Sequence, residues 1–369
     1  MRTQVVGVPA EVKNNEYRVA ITPDGVIELG HRGVRVVIEM GAGVGAGIHD
    51  EEFLAAGAEL CETAQEVWDQ ADIVCKVKEP QPSEYQFFRE NLTLFTYLHL
   101  AAYPEVSVAL CEAGVTGIAY ETVQVADGSL PLLAPMSEVA GRMATQIGAH
   151  FLQRENGGRG VLLGGAPGVR PGRVVVLGAG NVGWNSAWIA AGMEAEVLLF
   201  DKNLDRLRWV DQIHQGRIMT LASNRGAIAR AVAEADLVIG GVLVAGGRAP
   251  IVVTEEMVKS MKPRSVIVDV AIDQGGCVET IHETTHADPT YELHGVLHYA
   301  VGNIPGAVPH TSTFALTNAT LPYLVTLATA ESLDQACTNE ALALGVNTRG
   351  GTVVHPVVAA AIAEASSPH

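Results

Sequence analysis

The feature that most constrains the fold of this chain is a glycine-rich turn between an apolar run and a helical pattern. The run Arg173–Leu177 predicts a buried strand, and a helix pattern opens just after Gly180. Gly178 permits a tight turn, Gly180 lets the backbone approach a pyrophosphate, and Gly183 allows the helix to pack closely on the strand. The helix N-terminus then presents free N–H groups and a partial positive charge to phosphates. We therefore expect a dinucleotide to bind at Gly178-Ala179-Gly180-Asn181-Val182-Gly183.

The acidic residue after the next predicted strand narrows the expected nucleotide. Asp201 follows a strand pattern at 196–200 and lies 21 residues after Gly180, the spacing of the carboxylate that binds ribose hydroxyls. A glycine turn alone is weak support for nucleotide binding, and this strand and acid strengthen it. Because a carboxylate repels a 2′-phosphate, NAD is favoured over NADP. Lys202 and Arg206 lie nearby and keep NADP open as an alternative.

Strand and helix patterns alternate in both halves of the chain, which predicts an α/β protein with parallel, doubly wound sheets. Strands are predicted at 4–8, 35–39, 72–77, 92–98, 115–120, 174–177, 196–200, 236–243, 265–271 and 298–301. Helices are predicted at 22–31, 51–56, 63–70, 84–90, 105–113, 137–155, 182–192, 204–214, 225–233, 254–260 and 311–330. Ser137 is a candidate N-cap for the helix at 137–155.

The composition limits the classes of partner and the cellular setting. The 369 residues suit two domains, and their formal net charge of −17 argues against nucleic acids and anionic membranes as partners. Five cysteines without CxxC spacing favour a reduced, cytoplasmic setting over a disulfide framework. The N-terminal residues show no signal-peptide pattern, and no run of ~20 apolar residues predicts a membrane span.

Four polar side chains follow predicted strands and form the candidate substrate site. Arg18 follows the first strand, Lys78 the third, His99 the fourth, and Asp273 the strand at 265–271. Ligands of open α/β sheets bind beyond the carboxyl ends of strands, so these side chains would converge if the two sheets face each other. Arg18 could hold a carboxylate bidentately, and Lys78 could bind a carboxylate or polarise a carbonyl. His99 and Asp273 could exchange protons, and each of the four could also be a structural or solvated residue.

The segment His282-Glu283-Thr284-Thr285-His286 matches the HExxH pattern of zinc proteases. That pattern binds zinc on a helix, which places both histidines on one face with the glutamate as base. Two adjacent threonines and the following Ala287-Asp288-Pro289 predict a loop here. No metal site is therefore expected at this segment.

Several segments, in order and over nearly the full chain, resemble the bacterial L-alanine dehydrogenases. They are 6–23 (VGVPAEVKNNEYRVAITP), 77–80 (VKEP), 94–101 (LFTYLHLA), 134–142 (APMSEVAGR) and 269–276 (DVAIDQGG). The resemblance implies two Rossmann-like doubly wound domains, with an NAD-binding domain at 137–305 inserted in a substrate domain made of 1–136 and 306–369. It also implies reversible oxidative deamination of L-alanine to pyruvate and ammonia, in a homohexamer.

The same resemblance implies roles for individual residues. Arg18 and Lys78 would hold the substrate, and His99 and Asp273 would be catalytic. Beyond the glycine turn, the residues that would line NAD are Ser137, Asp201, Arg206, Ser223, Val242, Leu243, Val270, Ala271, Ile272, Val301, Gly302, Asn303 and Ile304.

Two positions depart from the pattern of that family. Gly302-Asn303-Ile304 stands where Ala-Asn-Met is common, beside the expected nicotinamide, and His310 stands where a basic residue is common. The first change could alter the substrate range or the rate. Two other functions stay open: the soluble NAD-binding subunit of a proton-translocating transhydrogenase, and a non-catalytic NAD-sensing protein. A different amino acid or an opine-type product also stays open.

Overall fold

The computed structural model describes residues 4–242 and 249–365. The strands, in chain order, are β1 (Val5–Val8), β2 (Arg35–Glu39), β3 (Glu59–Cys61), β4 (Ile73–Cys75), β5 (Thr93–Thr96), β6 (Thr116–Ala119), β7 (Arg173–Leu177), β8 (Glu196–Asp201), β9 (Met219–Ala222), β10 (Leu237–Gly240), β11 (Val266–Asp269), β12 (Thr290–Leu293), β13 (Val296–Tyr299), β14 (Val346–Arg349) and β15 (Thr352–Val353). The helices are α1 (Pro23–His31), α2 (Asp50–Ala55), α3 (Ala64–Gln70), α4 (Pro104–Glu112), α5 (Ala134–Phe151), α6 (Asn181–Gly192), α7 (Leu204–His214), α8 (Arg225–Ala233), α9 (Glu255–Lys259), α10 (Pro309–Thr329), α11 (Leu333–Ala336), α12 (Glu340–Leu344) and α13 (Pro356–Ala365).

The chain divides into two units, each built around its own sheet. Unit 1 comprises Met1–Met136 with Gly306–His369, and unit 2 comprises Ser137–Pro305. An eight-stranded sheet belongs to unit 1 and a seven-stranded sheet to unit 2. The prediction of an α/β protein with two doubly wound domains is confirmed.

The sheet of unit 1 has the strand order β15-β14-β6-β5-β4-β1-β2-β3. All four residues of β1 are buried, and β1 pairs in parallel with both β2 and β4. A Cβ at Gly7 would lie 2.6 Å from the Cβ of Ala71, so the glycine lets α3 approach the strand closely. The C-terminal strand β14 joins this sheet antiparallel to β6. The two ends of the chain therefore build one sheet.

The sheet of unit 2 has the strand order β12-β13-β11-β10-β7-β8-β9, and β12 is antiparallel to β13. Val174 and Val176 belong to one buried cluster while Val175 and Leu177 belong to another, so both faces of β7 are covered. From β9 to β13 this is the order 3-2-1-4-5-6 of dinucleotide-binding sheets. The chain order reverses between β7 and β10, where such sheets bind their ligand beyond the carboxyl ends of the strands.

One predicted helix is wrong. The segment predicted as a helix at 84–90 is a short 3₁₀ turn at Pro82–Phe87. The ring of Phe87 stacks on Trp68 at 5.9 Å, and Phe88 packs on the same ring. The two rings thus pack on Trp68 from the last residue of the 3₁₀ turn and from the residue after it.

Ser137 is not the N-cap that the sequence suggests. Helix α5 begins at Ala134, with Pro135 in its first turn, and Ser137 lies within the helix. Proline is favoured in the first helical turn because its missing N–H needs no partner there. Five short strands, β3, β9, β12, β14 and β15, were not predicted. They lie at or next to the edges of their sheets, where strands are short and carry little of the apolar patterning that marks central strands.

The segment that matches the HExxH pattern is not helical, in agreement with the loop that its sequence predicts. Thr284 forms an isolated β-bridge with Val301, and the residues on both sides of it are irregular. His282 and His286 therefore do not share a helical face. Within residues 4–242 and 249–365, no group of three or more His, Cys, Asp or Glu side chains could hold a metal ion. No helix in the same ranges is long and apolar enough to cross a membrane.

Candidate active site

The glycine turn of unit 2 is closed by two backbone contacts that exclude side chains. Gly178 has a φ of +94°, and a Cβ there would lie 2.7 Å from the carbonyl oxygen of Gly241. A Cβ at Gly183 would lie 1.7 Å from the carbonyl oxygen of Gly178. At Gly180 the nearest atom to such a Cβ is Nη1 of Arg206, at 3.5 Å. The turn is therefore closed against the sheet and bordered by a guanidinium at Gly180, a donor set that fits a pyrophosphate.

The carboxylate of Asp201 is fixed by backbone donors at the end of β8. Its Oδ2 accepts a hydrogen bond from the N–H of Ala179 at 2.6 Å, and its Oδ1 accepts from Asn203 at 2.7 Å. The N–H of Ser223 donates to the carbonyl oxygen of Asp201 at 2.9 Å. The half-buried carboxylate keeps lone pairs for ribose hydroxyls, so the residues present fit the adenosine half of NAD.

Two loops follow the carboxyl ends of β11 and β13 on the other side of the sheet. The buried Asp269 caps the 3₁₀ turn Val270–Gln274, because its Oδ1 accepts from Ala271 at 3.0 Å and its Oδ2 accepts from Cys277 at 2.7 Å. Asp273 is exposed on this turn, and the second loop includes Gly302 and Asn303. A Cβ at Gly302 would lie 3.3 Å from Oδ1 of Asp273, so the two loops adjoin.

The remaining described nucleotide candidates also belong to unit 2. Val242 is half-buried just beyond β10, and Leu243 lies outside the described residues. Val301 and Ile304, at the two ends of the second loop, have buried side chains. Asn303 has a φ of +56°, a left-handed conformation that asparagine tolerates better than most residues.

His99 is held at the end of β5 in a strained backbone conformation. Its φ is +48°, and its N–H donates to Oε1 of Glu121 at 2.6 Å. Its ring stacks on Tyr97 at 5.6 Å, and its Nδ1 lies 3.4 Å from Oε2 of Glu79. Left-handed backbone at a non-glycine residue costs free energy and is concentrated at functional sites.

Glu79 is a buried carboxylate that contacts the candidate His99 and a lysine, Lys13. It contacts His99 and forms a short ion pair with Lys13. Burial opposes the ionisation of Glu79, but the contact with His99, the hydrogen bond from Lys13 and the charge of Lys78 lower its pKa to about 2. Glu79 is therefore an anion at neutral pH and orients the imidazole of His99.

Arg18 is fully buried and already paired. Its Nε donates to Oε1 of Glu16 at 2.6 Å, and its Nη2 donates to Oε2 at 2.5 Å. Its Nη1 lies 3.0 Å from the sulfur of Met136. One edge of the guanidinium is thus fixed by Glu16, and Nη1 contacts the thioether of Met136, which is a weak acceptor. The positive charge of Arg18 opposes the rise that burial causes in the pKa of Tyr97, and the Tyr97 ring stacks on His99.

Lys78 is positioned through its backbone by a buried ionic network. Its carbonyl oxygen accepts from Oγ1 of Thr96 at 3.0 Å, and its N–H donates to Oε2 of Glu11 at 3.4 Å. The fully buried Lys76 lies between two carboxylates, 2.8 Å from Glu84 and 3.2 Å from Glu11. Burial raises the pKa of Glu11, and the charge of Lys76 opposes that rise. The network stabilises the chain segment from which Lys78 extends.

The structure brings three of the four substrate candidates together within unit 1. Arg18, Lys78 and His99 are linked by Tyr97 and Glu79, whereas Asp273 belongs to unit 2. Glu16 and Glu79 were not singled out from the sequence, although each stands within two residues of a predicted site residue. The available signal was an acidic residue between buried positions at the end of a strand. A charge that is buried there needs a partner, and a nearby basic residue can supply it.

Comparisons with known proteins agree over nearly the whole chain. The family model "Alanine dehydrogenase/PNT, N-terminal domain" matches residues 7–140, and "Alanine dehydrogenase/PNT, C-terminal domain" matches residues 144–356. A protein named alanine dehydrogenase from Methanococcus maripaludis is 56% identical over 358 residues, which cover 97% of this chain and 96% of that protein. Another from Bacillus subtilis is 57% identical over 356 residues, covering 96% of this chain and 94% of its own length.

Two solved structures also match nearly the whole chain. A structure named L-alanine dehydrogenase superposes with a TM-score of 0.95 at 51% identity, covering 98% of this chain and 99% of that chain. The transhydrogenase from Sinorhizobium meliloti superposes with a TM-score of 0.82 at 27% identity, covering 96% and 99%. The resemblance found in the sequence is confirmed.

Proposed function

The chain belongs to the alanine dehydrogenase/PNT family, and we propose that it catalyses the reversible, NAD-dependent oxidative deamination of L-alanine to pyruvate and ammonia. The observation that carries the proposal is the polar cluster of unit 1, in which Glu16 binds Arg18, Glu79 lies beside His99, and Tyr97 stacks on His99. A transhydrogenase subunit or an NAD sensor has no need of such a cluster, since neither binds an amino acid for chemistry.

Arg18 and Lys78 bind the substrate. Glu16 fixes the plane of the Arg18 guanidinium, so a substrate carboxylate meets this guanidinium in one orientation. Lys78 extends from a segment whose backbone is held by Thr96 and Glu11, and its ammonium group polarises the carbonyl of pyruvate or binds the carboxylate. Together they orient the α-carbon.

His99 and Asp273 exchange protons with the substrate. Glu79 beside Nδ1 of His99 leaves Nε2 to take or give a proton. In the oxidative direction, His99 or Asp273 removes a proton from the water that adds to the iminium carbon, and a proton then leaves with ammonia. The buried, anionic Glu79 stays beside Nδ1 of the imidazole during this step.

Residues of unit 2 hold the cofactor. Gly178, Gly180, Asn181, Val182 and Gly183 bind the pyrophosphate with Arg206 beside them, and Asp201 binds the adenosine ribose with Ser223 adjoining. When bound, NAD accepts a hydride from the α-carbon of the substrate. Residues proposed to line the rest of the cofactor are Ser137, Val242, Leu243, Val270, Ala271, Ile272, Val301, Gly302, Asn303 and Ile304.

The proposal also covers the domains, the cellular location, the oligomeric state and the partners of the protein. Unit 1 is the substrate domain and unit 2 is the NAD-binding domain, inserted between the two parts of unit 1. The protein is cytoplasmic and acts as a homohexamer. Its partners are small molecules, with no nucleic acid and no membrane among them.

An absorbance assay at the NADH wavelength tests the proposal. Pyruvate with ammonia should consume NADH, glyoxylate and larger 2-oxo acids should define the substrate range, and NADPH should be a poor substitute. Omission of ammonia should abolish turnover, because the amine is a substrate. Absence of turnover with pyruvate and ammonia contradicts the proposal, and hydride transfer from NADH to a nicotinamide analogue in its place would favour a transhydrogenase subunit.

A further inference from the structure

Glu283 places a second carboxylate beside Asp273, in the space left by the missing side chain of Gly302. A Cβ at Gly302 would lie 2.7 Å from Oε1 of Glu283 and 3.3 Å from Oδ1 of Asp273. The two carboxylate oxygens are therefore within about 6 Å of each other, close enough for their charges to act on the same ligand. Glu283 takes no part in the cofactor binding or proton transfer proposed for unit 2.

The backbone on both sides of Glu283 is anchored. The ring of His282 stacks on Tyr291 at 3.7 Å, and its N–H donates to the Tyr291 hydroxyl at 3.0 Å. On the other side, the N–H of Thr284 donates to the carbonyl oxygen of Ala300 at 3.0 Å, and the N–H of Ala300 donates to Oγ1 of Thr284 at 3.1 Å. Glu283 is thus held against the loop that carries Gly302.

The strand order of unit 2 indicates which half of the cofactor lies at this loop. Asp201 ends β8, so the adenosine half belongs on that side of the glycine turn. β10, β11 and β13 lie on the other side of β7, and the loops with Asp273 and Gly302 follow β11 and β13. The nicotinamide half of a dinucleotide that crosses the sheet at the turn therefore reaches these loops.

We propose that Glu283, together with Asp273, makes this site prefer the oxidised cofactor. The nicotinamide ring carries a positive charge in NAD⁺ and none in NADH, so a pair of carboxylates beside it attracts the oxidised ring selectively. Gly302 is part of the device because it leaves room for the Glu283 carboxylate. The inference rests on the proposed function, since it requires the nicotinamide half of NAD at these loops.

The test compares the dissociation constants of NAD⁺ and NADH on the full-length protein, by calorimetry or protein fluorescence, without substrate. Glu283→Gln keeps the side chain's shape and removes its charge. It should weaken NAD⁺ binding about two- to fivefold and change NADH binding less, so the ratio of the two constants shifts. Glu292→Gln on β12 removes the same charge from an exposed position of the neighbouring hairpin and should leave the ratio unchanged.

A double-mutant cycle with Gly302→Ala tests the geometry. The added methyl group displaces the Glu283 carboxylate, so it should shift the ratio in the same direction as Glu283→Gln and add little in the Glu283→Gln background. Unchanged ratios in Glu283→Gln, with NAD⁺ still bound, overturn the inference and leave the proposed function intact. Failure of the unmodified protein to bind either nucleotide overturns the proposed function itself.

Discussion

The carboxylate of Asp201 accepts a hydrogen bond from the N–H of Ala179 at 2.6 Å, which ties the end of β8 to the glycine turn. A second bond, from the N–H of Asn203 at 2.7 Å, fixes the other oxygen. The carboxylate is therefore oriented by the protein itself. A ribose that binds to it meets an acceptor that is already in place, and little rotamer entropy is lost on binding.

Replacing Asp201 by alanine should weaken NADH binding and relax the choice of cofactor. Loss of a charged hydrogen-bond acceptor costs about 1.5–3 kcal/mol, so the KM for NADH should rise roughly 10- to 100-fold. The KM for NADPH should change less, because repulsion of the 2′-phosphate is removed at the same time. Steady-state assays with both cofactors measure the effect. Asp205→Ala, which removes an exposed acid of α7, is the matched control, and equal effects of the two variants would contradict this role.

Gly183→Ala should damage the nucleotide turn, whereas Gly192→Ala in the same helix should not. The first Cβ would lie 1.7 Å from the carbonyl oxygen of Gly178, a backbone atom that cannot move without opening the turn. The second meets nothing within 4 Å, and alanine there should stabilise the fold by up to about 1 kcal/mol. Thermal unfolding with and without NADH compares the two variants. Normal stabilisation of Gly183→Ala by NADH would show that the turn does not bind the cofactor.

Glu79→Gln should lower stability at neutral pH, with a difference that shrinks in acid. The pKa of Glu79 is about 2 in the folded protein against 4.5 for a free side chain. The ionised form therefore stabilises the fold above about pH 4.5, by about 3 kcal/mol, and this contribution is lost as the pH falls towards 2. Denaturant unfolding of both proteins, measured at about every pH unit between pH 3 and 7, follows the difference in their free energies of unfolding. The variant should also lose kcat, since His99 is no longer oriented, and a pH-independent stability difference would contradict the assignment.

His298 should make the protein less stable in mild acid. The side chain is buried, its Nε2 lies 2.8 Å from Oγ1 of Thr280, and burial lowers its pKa to about 4. A histidine with a depressed pKa binds fewer protons when folded, so stability falls as the pH drops from 6.5 to about 4, by about 3 kcal/mol in total. His298→Gln should flatten the pH dependence of unfolding in that window. An unchanged slope would mean that His298 has the same pKa in the folded and unfolded states, which would contradict this prediction.

The sequence predicted the elements that are central and regular. The run around Val175 and the glycine turn follow from local rules, and Asp201 was found by its spacing. The partners of the site residues were harder, because they depend on contacts far apart in the chain. Glu79 and Lys13 are 66 residues apart, and the sequence offers no spacing that pairs them.

The sequence also did not reveal which charged side chains the fold buries. Lys76 lies within the predicted strand at 72–77 and Glu11 follows the one at 4–8, and neither was singled out, yet their side chains are almost completely buried and ion-paired. A charge can be buried only when the fold supplies its counter-charge, and no local pattern reveals that. Ser137 shows the same limit at a helix start, because the structure begins α5 at Ala134 and not at the residue with the best capping side chain.

The balance of products from L-alanine tests the central claim most directly. Purified protein with L-alanine and NAD as the sole substrates should form NADH, pyruvate and ammonia in equal amounts, each measured independently in the same reaction. The formation of NADH from L-alanine without matching pyruvate and ammonia, or no NADH at all, would contradict an alanine dehydrogenase.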